Sequence, residues 1–134
     1  WFRQKSYKTS FWTKRRRKEE KSLDCVFCKI AAGEIPSKKA YEDDRILAFY
    51  DLDPQAPVHI LLIPKEHIES AADITEENSA IVAHIFAVAA KLAKELDLAQ
   101  GWRVVTNVGK DGGQTVMHMH FHLLGGRSMA WPPG

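Results

Sequence analysis

The chain has 134 residues, and this length fits a single domain of ordinary size. Hydrophobic residues make up 45% of the sequence, as in globular domains. No stretch approaches the roughly 18–20 apolar residues that a membrane-spanning helix needs. No apolar segment of about 7–15 residues follows the first charges, as it would in a secretory signal. The composition therefore disfavours both a membrane span and a secretory leader.

Charge is distributed unevenly along the chain. Residues 1–21 carry nine Lys or Arg against two Glu, whereas the remainder carries ten basic against fifteen acidic residues. We therefore predict a basic N-terminal extension over residues 1–22 and one folded domain over residues 23–134. A cationic run such as 14–18 either contacts nucleic acid or an anionic surface, or forms a solvated extension. The second interpretation is favoured here.

Cys25 and Cys28 are the only cysteines in the chain. Two cysteines are too few for a disulfide scaffold, and their close spacing suits a reducing compartment and a metal site. The sequence therefore predicts a cytoplasmic protein. A redox-active pair is less favoured, because such a pair needs a thioredoxin-like strand–helix–strand context that the sequence does not show.

Hydrophobic periodicity and turn residues predict the following elements in chain order. A short helix over residues 26–32 ends before Gly33, and strands follow at 39–42, 45–51 and 58–64. Apolar residues three and four apart predict a long helix over 76–96, with Thr75 as its N-cap. Two more strands are predicted at 102–108 and 116–124, with a glycine-rich turn between them. This order favours an α+β fold: an antiparallel sheet of about five strands with one long and one short helix.

The segment from His118 to Leu124 reads His-Met-His-Phe-His-Leu-Leu. Side chains alternate between the two faces of a strand, so a strand here would place three imidazoles on one face and apolar side chains on the other. Three imidazoles at this spacing indicate chemistry, because imidazole serves either as a metal ligand or as a nucleophile and proton carrier near neutral pH. Both possibilities stay open on spacing alone.

This segment is similar to the His-φ-His-φ-His-φ-φ signature of the histidine triad (HIT) family, where φ is an apolar residue. Residues 51–59, 63–67, 107–109, 112–114 and 131–134 resemble its Hint branch, the purine nucleoside phosphoramidases. The resemblance covers about residues 24–134 and leaves out the basic extension. It implies a HIT-like fold for the domain.

The resemblance also implies a reaction. His120 would attack the α-phosphorus of a purine nucleoside phosphoramidate, of the AMP-NH2 or AMP-lysine type, or of an acyl-adenylate. A covalent nucleotidyl-histidine would form, and water would then release the nucleoside monophosphate. His122 would orient its neighbours, and His118 and His59 would tune charge and proton transfer beside the phosphate.

Binding roles follow from the same resemblance. Asp51 would accept hydrogen bonds from the ribose hydroxyls, although an aspartate at this position is also a common turn residue. The other substrate-binding candidates surround the base, the phosphate or the partner's site, and for the apolar ones alone a plain core role is the more common. They are Phe27, Ile30, Phe49 and Leu52 for the base, Asn107, Gly113, Gln114, Thr115 and Val116 for the phosphate, and Trp131.

Cys25 and Cys28 have the spacing of half a zinc site. Bacterial-type members of the family resemble this chain in pairing such a motif with two distant histidines, here His67 and His118. The implied cofactor is one structural zinc ion in a closed Cys2His2 site, with no organic cofactor. Two thiols without metal remain the alternative.

Residues 131–134 resemble the Hint C-terminus, which crosses a homodimer, so a homodimer is predicted. Two other functions remain open: a dinucleoside polyphosphate hydrolase or nucleotidyl transferase, and a nucleotide-binding regulatory module with little turnover. Fold and site similarity do not distinguish turnover from binding. His84 matches none of the motifs and is expected to be a surface residue.

Overall fold

A single five-stranded antiparallel sheet organises the protein in this computed structural model, which describes residues 24–134. The strands lie in the order β1-β2-β3-β5-β4. Their bounds are Lys39–Glu42 for β1, Ile46–Tyr50 for β2, Val58–Pro64 for β3, Trp102–Val105 for β4 and Phe121–Gly125 for β5. The basic extension predicted for residues 1–22 and the predicted domain start at residue 23 lie outside the described residues.

Two α-helices complete the fold: α1 spans Val26–Ala31 and α2 spans Ala80–Glu95. One turn of 3-10 helix, Ala71–Asp73, precedes α2. The predicted α+β class, with five antiparallel strands and one short and one long helix, is confirmed. Over residues 24–134, neither helix is long and apolar enough to cross a bilayer.

The sheet buries both of its faces. Alternate side chains of β3 separate into two clusters: Ile60 and Leu62 pack toward α2, whereas Leu61 and Ile63 pack toward α1. Burial of such a side chain contributes roughly 1.5–3 kcal/mol, so the apolar run of β3 anchors the centre of the domain. The predicted core face of the histidine-rich segment is confirmed, since its apolar members lie in the α2 cluster: Met119, Phe121 and Leu123.

The start of β5 differs from the prediction. The strand begins at Phe121, and residues 116–120 approach it without regular pairing. In this approach segment the Met119 N–H donates to the Ile68 carbonyl at 2.6 Å, instead of joining a strand ladder. Only His122 of the three histidines therefore lies within β5, so strand alternation alone does not place the other two.

The start of α2 also differs from the prediction. The helix begins at Ala80 with Ser79 at its N-cap, not after Thr75. The Asn78 side chain accepts the Thr75 N–H at 2.7 Å and donates to the Asp73 carbonyl at 3.1 Å. Side chains that bond the local backbone in this way stabilise a turn at the expense of a helix. The apolar periodicity of the segment gave no sign of this competition.

Helix α1 is too short to be stable alone, because isolated helices of six residues do not repay the cost of nucleation. Its N-cap is Cys25, whose Sγ accepts the Cys28 N–H at 3.4 Å. Phe27 is buried against the sheet, in contact with the ring of Phe49. The helix is therefore held by packing and by the two cysteines, and these contacts keep it on the face that carries the histidines.

Candidate functional site

Two histidines from neighbouring strands meet on the α1 face of the sheet. In the β3–β5 register, His59 lies opposite Leu124 and His122 lies opposite Leu61, so the two histidines are diagonal neighbours on one face. The Nε2 atom of His59 lies 2.8 Å from Nδ1 of His122. A hydrogen bond therefore joins the two rings.

The backbone fixes which nitrogen carries each proton in this pair. The Gln55 N–H donates to Nδ1 of His59 at 3.0 Å, so that nitrogen must present a lone pair. In the neutral ring the proton then lies on Nε2, which donates to Nδ1 of His122. The His122 proton in turn lies on Nε2, an atom that is buried without a hydrogen-bond partner among the described residues. We call this chain from Gln55 to His122 the histidine relay.

His120 has the opposite tautomer. Its Nδ1 lies 2.7 Å from the carbonyl oxygen of His118, and a carbonyl can only accept, so Nδ1 carries the proton. The lone pair of the neutral ring is therefore on Nε2. The ring is buried, and its centroid lies 5.1 Å from that of His122. A nucleophilic nitrogen and a proton donor are thus neighbours in one site.

Burial keeps the relay neutral. It lowers the pKa of His122 to about 4, and the nearby His120 and His59 rings act in the same direction. Burial also lowers the pKa of His59, while the charges of Asp51 and Asp53 partly oppose this shift. At neutral pH both rings are therefore uncharged, and each has one N–H donor and one lone pair.

Asp51 joins the relay at one side, with Oδ2 at 3.5 Å from Nε2 of His59. Ligand atoms of Asp51, His59 and His122 lie within 4.8 Å of one another, close enough to consider a metal. The tautomer of His59 argues against a metal ion at these three residues. Because the Gln55 N–H occupies the lone pair on Nδ1, Nε2 of neutral His59 carries a proton and has no lone pair for a cation. These residues fit hydrogen bonding to a substrate better than metal binding.

The second cluster has the character of a zinc site. Cys25 Sγ lies 3.3 Å and Cys28 Sγ 3.4 Å from Nδ1 of His118, and Cys28 Sγ lies 3.3 Å from Nδ1 of His67. Tetrahedral zinc with bonds of about 2.3 Å to sulfur and 2.0 Å to nitrogen separates such ligands by about 3.5 Å. All four ligand atoms lie within 4.8 Å of one another, and no disulfide joins the cysteines. The predicted Cys2His2 ligand set is therefore confirmed and fits zinc.

His118 is prepared for the ligand role. Its Nε2 lies 2.8 Å from the Pro64 carbonyl, so the proton is on Nε2 and the lone pair on Nδ1 faces the two sulfurs. The side chain is fully buried, and burial lowers its pKa to about 4. Nδ1 thus faces the cysteine sulfurs and Nε2 is bonded to a carbonyl, which favours the ligand role of His118 over direct proton transfer to a phosphate.

Two polar residues that were predicted to contact substrate form hydrogen bonds with the protein's own loops in this structure. Oδ1 of Asp51 accepts the Asp53 N–H at 2.8 Å, which is the turn role considered for this residue. The carboxamide of Gln114 accepts the Gly109 N–H and donates to the carbonyls of Glu69 and Val116. A contact of Asp51 with ribose or of Gln114 with phosphate remains a prediction.

The remaining substrate-binding candidates differ in exposure. Phe27 and Phe49 are buried in the α1 cluster, and Phe27 contacts the rings of both His118 and His120 edge-on. Ile30 and Val116 pack against the same cluster, and Asn107 is half-buried. The others are exposed to solvent: Leu52, Gly113, Thr115 and Trp131. The buried members line the histidine site, whereas the substrate-binding role of the exposed ones stays a prediction.

A third polar cluster was not predicted. Nε2 of His84 lies 2.6 Å from Oδ2 of Asp43, and this oxygen also accepts from the Tyr41 hydroxyl at 2.8 Å. Arg45 donates to the other ring nitrogen of His84 at 3.2 Å. His84 is therefore a structural bridge between α2 and the β1–β2 turn. No local sequence motif predicts this bridge, because the partners of His84 lie about forty positions away.

The buried imidazoles beside a Cys2His2 cluster give the site a nucleophilic nitrogen, a hydrogen-bond donor and a set of zinc-type ligands. Residues 32–129 match the HIT domain family. An uncharacterized HIT-like protein of Synechococcus elongatus is 51% identical over 113 residues, covering 84% of this chain and 99% of the relative. A 14 kDa zinc-binding protein of Zea mays is 49% identical over 111 residues, 81% of this chain and 87% of that protein. The chain belongs to the HIT domain family.

Solved structures agree with this assignment. The crystal structure of a HIT family hydrolase from Legionella pneumophila superposes with a TM-score of 0.81 at 53% sequence identity, covering 82% of this chain and 99% of that one. A histidine triad protein from Clostridium difficile gives a TM-score of 0.78 at 55% identity, with coverages of 81% and 95%. The predicted HIT-like fold is confirmed, and the chain shares it with a solved HIT family hydrolase.

Proposed function

We propose that the protein is a nucleotide hydrolase that cleaves purine nucleoside phosphoramidates or acyl-adenylates through a nucleotidyl-histidine intermediate. One observation carries the proposal: opposite tautomers of two neighbouring rings. Nε2 of His120 has a lone pair, and Nε2 of His122 has a proton with no partner in the described part of the chain. A displacement at phosphorus needs a nucleophile and is assisted by a hydrogen-bond donor beside the leaving group.

In the first step, Nε2 of His120 forms a bond to the α-phosphorus, and the bond from phosphorus to the amine nitrogen breaks. The amine leaves with a proton from a water molecule, and Nε2–H of His122 holds the remaining hydroxide by a hydrogen bond. Because Nε2–H of His59, itself oriented by the Gln55 N–H, donates to Nδ1 of His122, the His122 ring keeps this orientation. The Nδ1–H bond to the His118 carbonyl stabilises the positive charge that develops on His120.

In the second step, this hydroxide attacks phosphorus while Nε2–H of His122 orients it. The bond between phosphorus and His120 breaks, and the nucleoside monophosphate leaves. Nε2 of His120 regains its lone pair, and both histidines are in their starting tautomers. In this proposal Asp51, which lies next to the relay, accepts from the ribose hydroxyls, and the buried rings of Phe27 and Phe49 line the base.

We infer that Cys25, Cys28, His67 and His118 hold one zinc ion. A site closed by four protein ligands leaves no coordination position for substrate, so the ion supplies structural rigidity to the surrounding chain. The relatives named as zinc-binding proteins, together with the ligand spacing, support this proposal. Paired thiols near a metal are typical of a reducing compartment, which supports a cytoplasmic protein.

The proposal is tested by incubating the protein with an AMP amidate and following the release of AMP. We expect turnover by the intact protein and a loss of about 10³-fold or more in His120→Ala, because the nucleophile is removed. Mass spectrometry of acid-sensitive peptides from rapidly quenched reactions should show AMP attached to His120.

His84→Ala is the matched control, since it removes a histidine from the opposite face of the sheet and should retain turnover. Normal turnover by His120→Ala would overturn the mechanism. Nucleotide binding by the intact protein without any AMP release would instead identify a binding module, and faster cleavage of a dinucleoside polyphosphate would identify that class of hydrolase.

A further inference from the structure

We propose that the Cys2His2 cluster is a positioning device for the nucleophile: it holds the peptide between His118 and Met119, whose carbonyl fixes the tautomer of His120. The inference rests on the proposed function, because it assigns a catalytic consequence to the metal cluster. It concerns these residues of the chain and routes no reaction step through the metal.

The first link runs through the side chain of His118. Its Nδ1 lies among the two cysteine sulfurs and its Nε2 bonds the Pro64 carbonyl, so the ring is held from both ends. The same residue supplies, from its main chain, the carbonyl that accepts Nδ1–H of His120 at 2.7 Å. A ring fixed at both nitrogens and fully buried leaves its own backbone little freedom to turn.

The second link holds the other side of that peptide. The carbonyl of His118 and the N–H of Met119 belong to one planar unit and point in opposite directions. The Met119 N–H donates to the Ile68 carbonyl at 2.6 Å, and Ile68 directly follows His67, the other histidine of the cluster. Both histidine ligands therefore hold the same peptide. His118 supplies its carbonyl, and His67 directly precedes Ile68, which accepts the hydrogen bond from its N–H.

The third link is a packing contact. Phe27 lies between the two cysteines in sequence, on α1, and contacts the His120 ring edge-on with centroids 5.1 Å apart. Edge-on aromatic pairs contribute about 0.5–1.5 kcal/mol beyond area burial. Because α1 is too short to be stable alone, the cysteines that bind the metal also keep this ring against the nucleophile.

The expected result of releasing the cluster follows from these links. If the His118 carbonyl turns away, Nδ1 of His120 loses its acceptor, and the ring can move its proton to Nε2. A ring protonated at Nε2 has no lone pair there and cannot attack phosphorus from that atom. The histidine relay is held by β3, β5 and the Gln55 N–H, none of which belongs to the cluster, so its tautomers should persist.

The test is histidine tautomer measurement by two-bond ¹H–¹⁵N correlation NMR on the full chain. Three proteins are compared: wild type, Cys28→Ala, which removes one ligand, and His67→Cys, which replaces a ligand by another zinc ligand. Zinc content of each protein is measured alongside. In wild type and His67→Cys we expect one tautomer of His120 with the proton on Nδ1, and in Cys28→Ala a mixture of both tautomers.

The His122 signal serves as an internal reference in the same spectra. It should keep its proton on Nε2 in all three proteins, so a change confined to His120 separates loss of positioning from unfolding. For turnover of an AMP amidate by Cys28→Ala, kcat should fall about tenfold or more while KM changes less than about threefold, because orientation and not binding is lost.

Three outcomes would overturn the inference: zinc-free Cys28→Ala with an unchanged His120 tautomer, equal loss of order at His120 and His122, and wild type purified without zinc. The tautomer measurement needs no substrate, so it distinguishes failure of this inference from failure of the proposed function. A protein that cleaves no amidate but loses the His120 tautomer with its zinc would refute only the function.

Discussion

At the scale of single residues, the site depends on backbone groups that carry no sequence signal. The histidine motif identified His120 and His122, and Cys25 and Cys28 indicated the metal ligands. The groups that set the tautomers are the N–H of Gln55 and the carbonyl of His118. Almost any residue type would provide these backbone groups at those positions. Residue types could therefore be predicted from the sequence, whereas the position of each proton required the structure.

His59 offers a direct test of the relay. In His59→Ala, Nδ1 of His122 loses its donor at 2.8 Å, so His122 can hold its proton on either nitrogen. We expect kcat with an AMP amidate to fall by roughly 10- to 100-fold with little change in KM, because a preorganised hydrogen-bond donor at the reacting group contributes about 10²–10³-fold. Steady-state kinetics measure this, and kcat equal to that of His84→Ala would contradict it.

The lowered pKa of His122 makes stability depend on pH. The unfolded chain binds a proton at this ring below pH 6.5, whereas the folded protein does so only near pH 4. The contribution is therefore complete above pH 6.5 and is lost as pH falls toward 4. After allowance for solvent screening, we expect His122 to account for about 1 kcal/mol of the free energy of unfolding lost between about pH 7 and 5.

Urea unfolding of wild type and His122→Asn at the two pH values measures this quantity. The difference between the two proteins cancels titration at His118 and His59, which acts in the same direction. Parallel losses of stability in wild type and His122→Asn would show that His122 is not responsible.

At the scale of elements, periodicity located every strand and both helices of the described residues, but hydrogen bonds outside the regular ladders moved their ends. β5 begins late because the Met119 N–H bonds Ile68, and α2 begins late because Asn78 stabilises a turn. Apolar patterns report which side chains are buried and not which backbone groups find local partners. The interiors of elements were therefore predictable, and the segments that hold His118 and His120 were not.

The contact between α2 and the β1–β2 turn centres on one carboxylate. Although burial alone would raise the pKa of Asp43, the N–H groups of Ile46 and Arg45 and the His84 and Tyr41 side chains hold it well below its usual range. Asp43→Ala removes an acceptor of four hydrogen bonds. We expect the free energy of unfolding to fall by about 2 kcal/mol.

Urea denaturation followed by circular dichroism measures this loss. Asp44→Ala is the matched control, because Asp44 is the adjacent acid of the same turn and is exposed. Equal stabilities of the two variants would show that the Asp43 network contributes nothing. Turnover should be unaffected in both, since the turn is on the side of the sheet that packs against α2.

At the scale of the whole molecule, the exposed apolar residues point to a second copy of the chain. Trp131 is 81% exposed, and Trp102, on edge strand β4, is also exposed. Large apolar side chains gain free energy from burial, so we predict a homodimer that covers them. Light scattering at micromolar concentration should give the mass of two chains, and Trp131→Ala should weaken association. A monomer at that concentration would refute the prediction.

The strand order has a consequence for how the protein folds. β5 is the last strand in the described sequence, yet it occupies an inner position between β3 and β4. β4 has no sheet partner until β5 is in place, and the β3–β5 pairs join residues about sixty positions apart. Such non-local pairing is slow to form. During synthesis, the relay between His59 and His122 can therefore form only after β5 has left the ribosome, so the site is completed after the other four strands have been made.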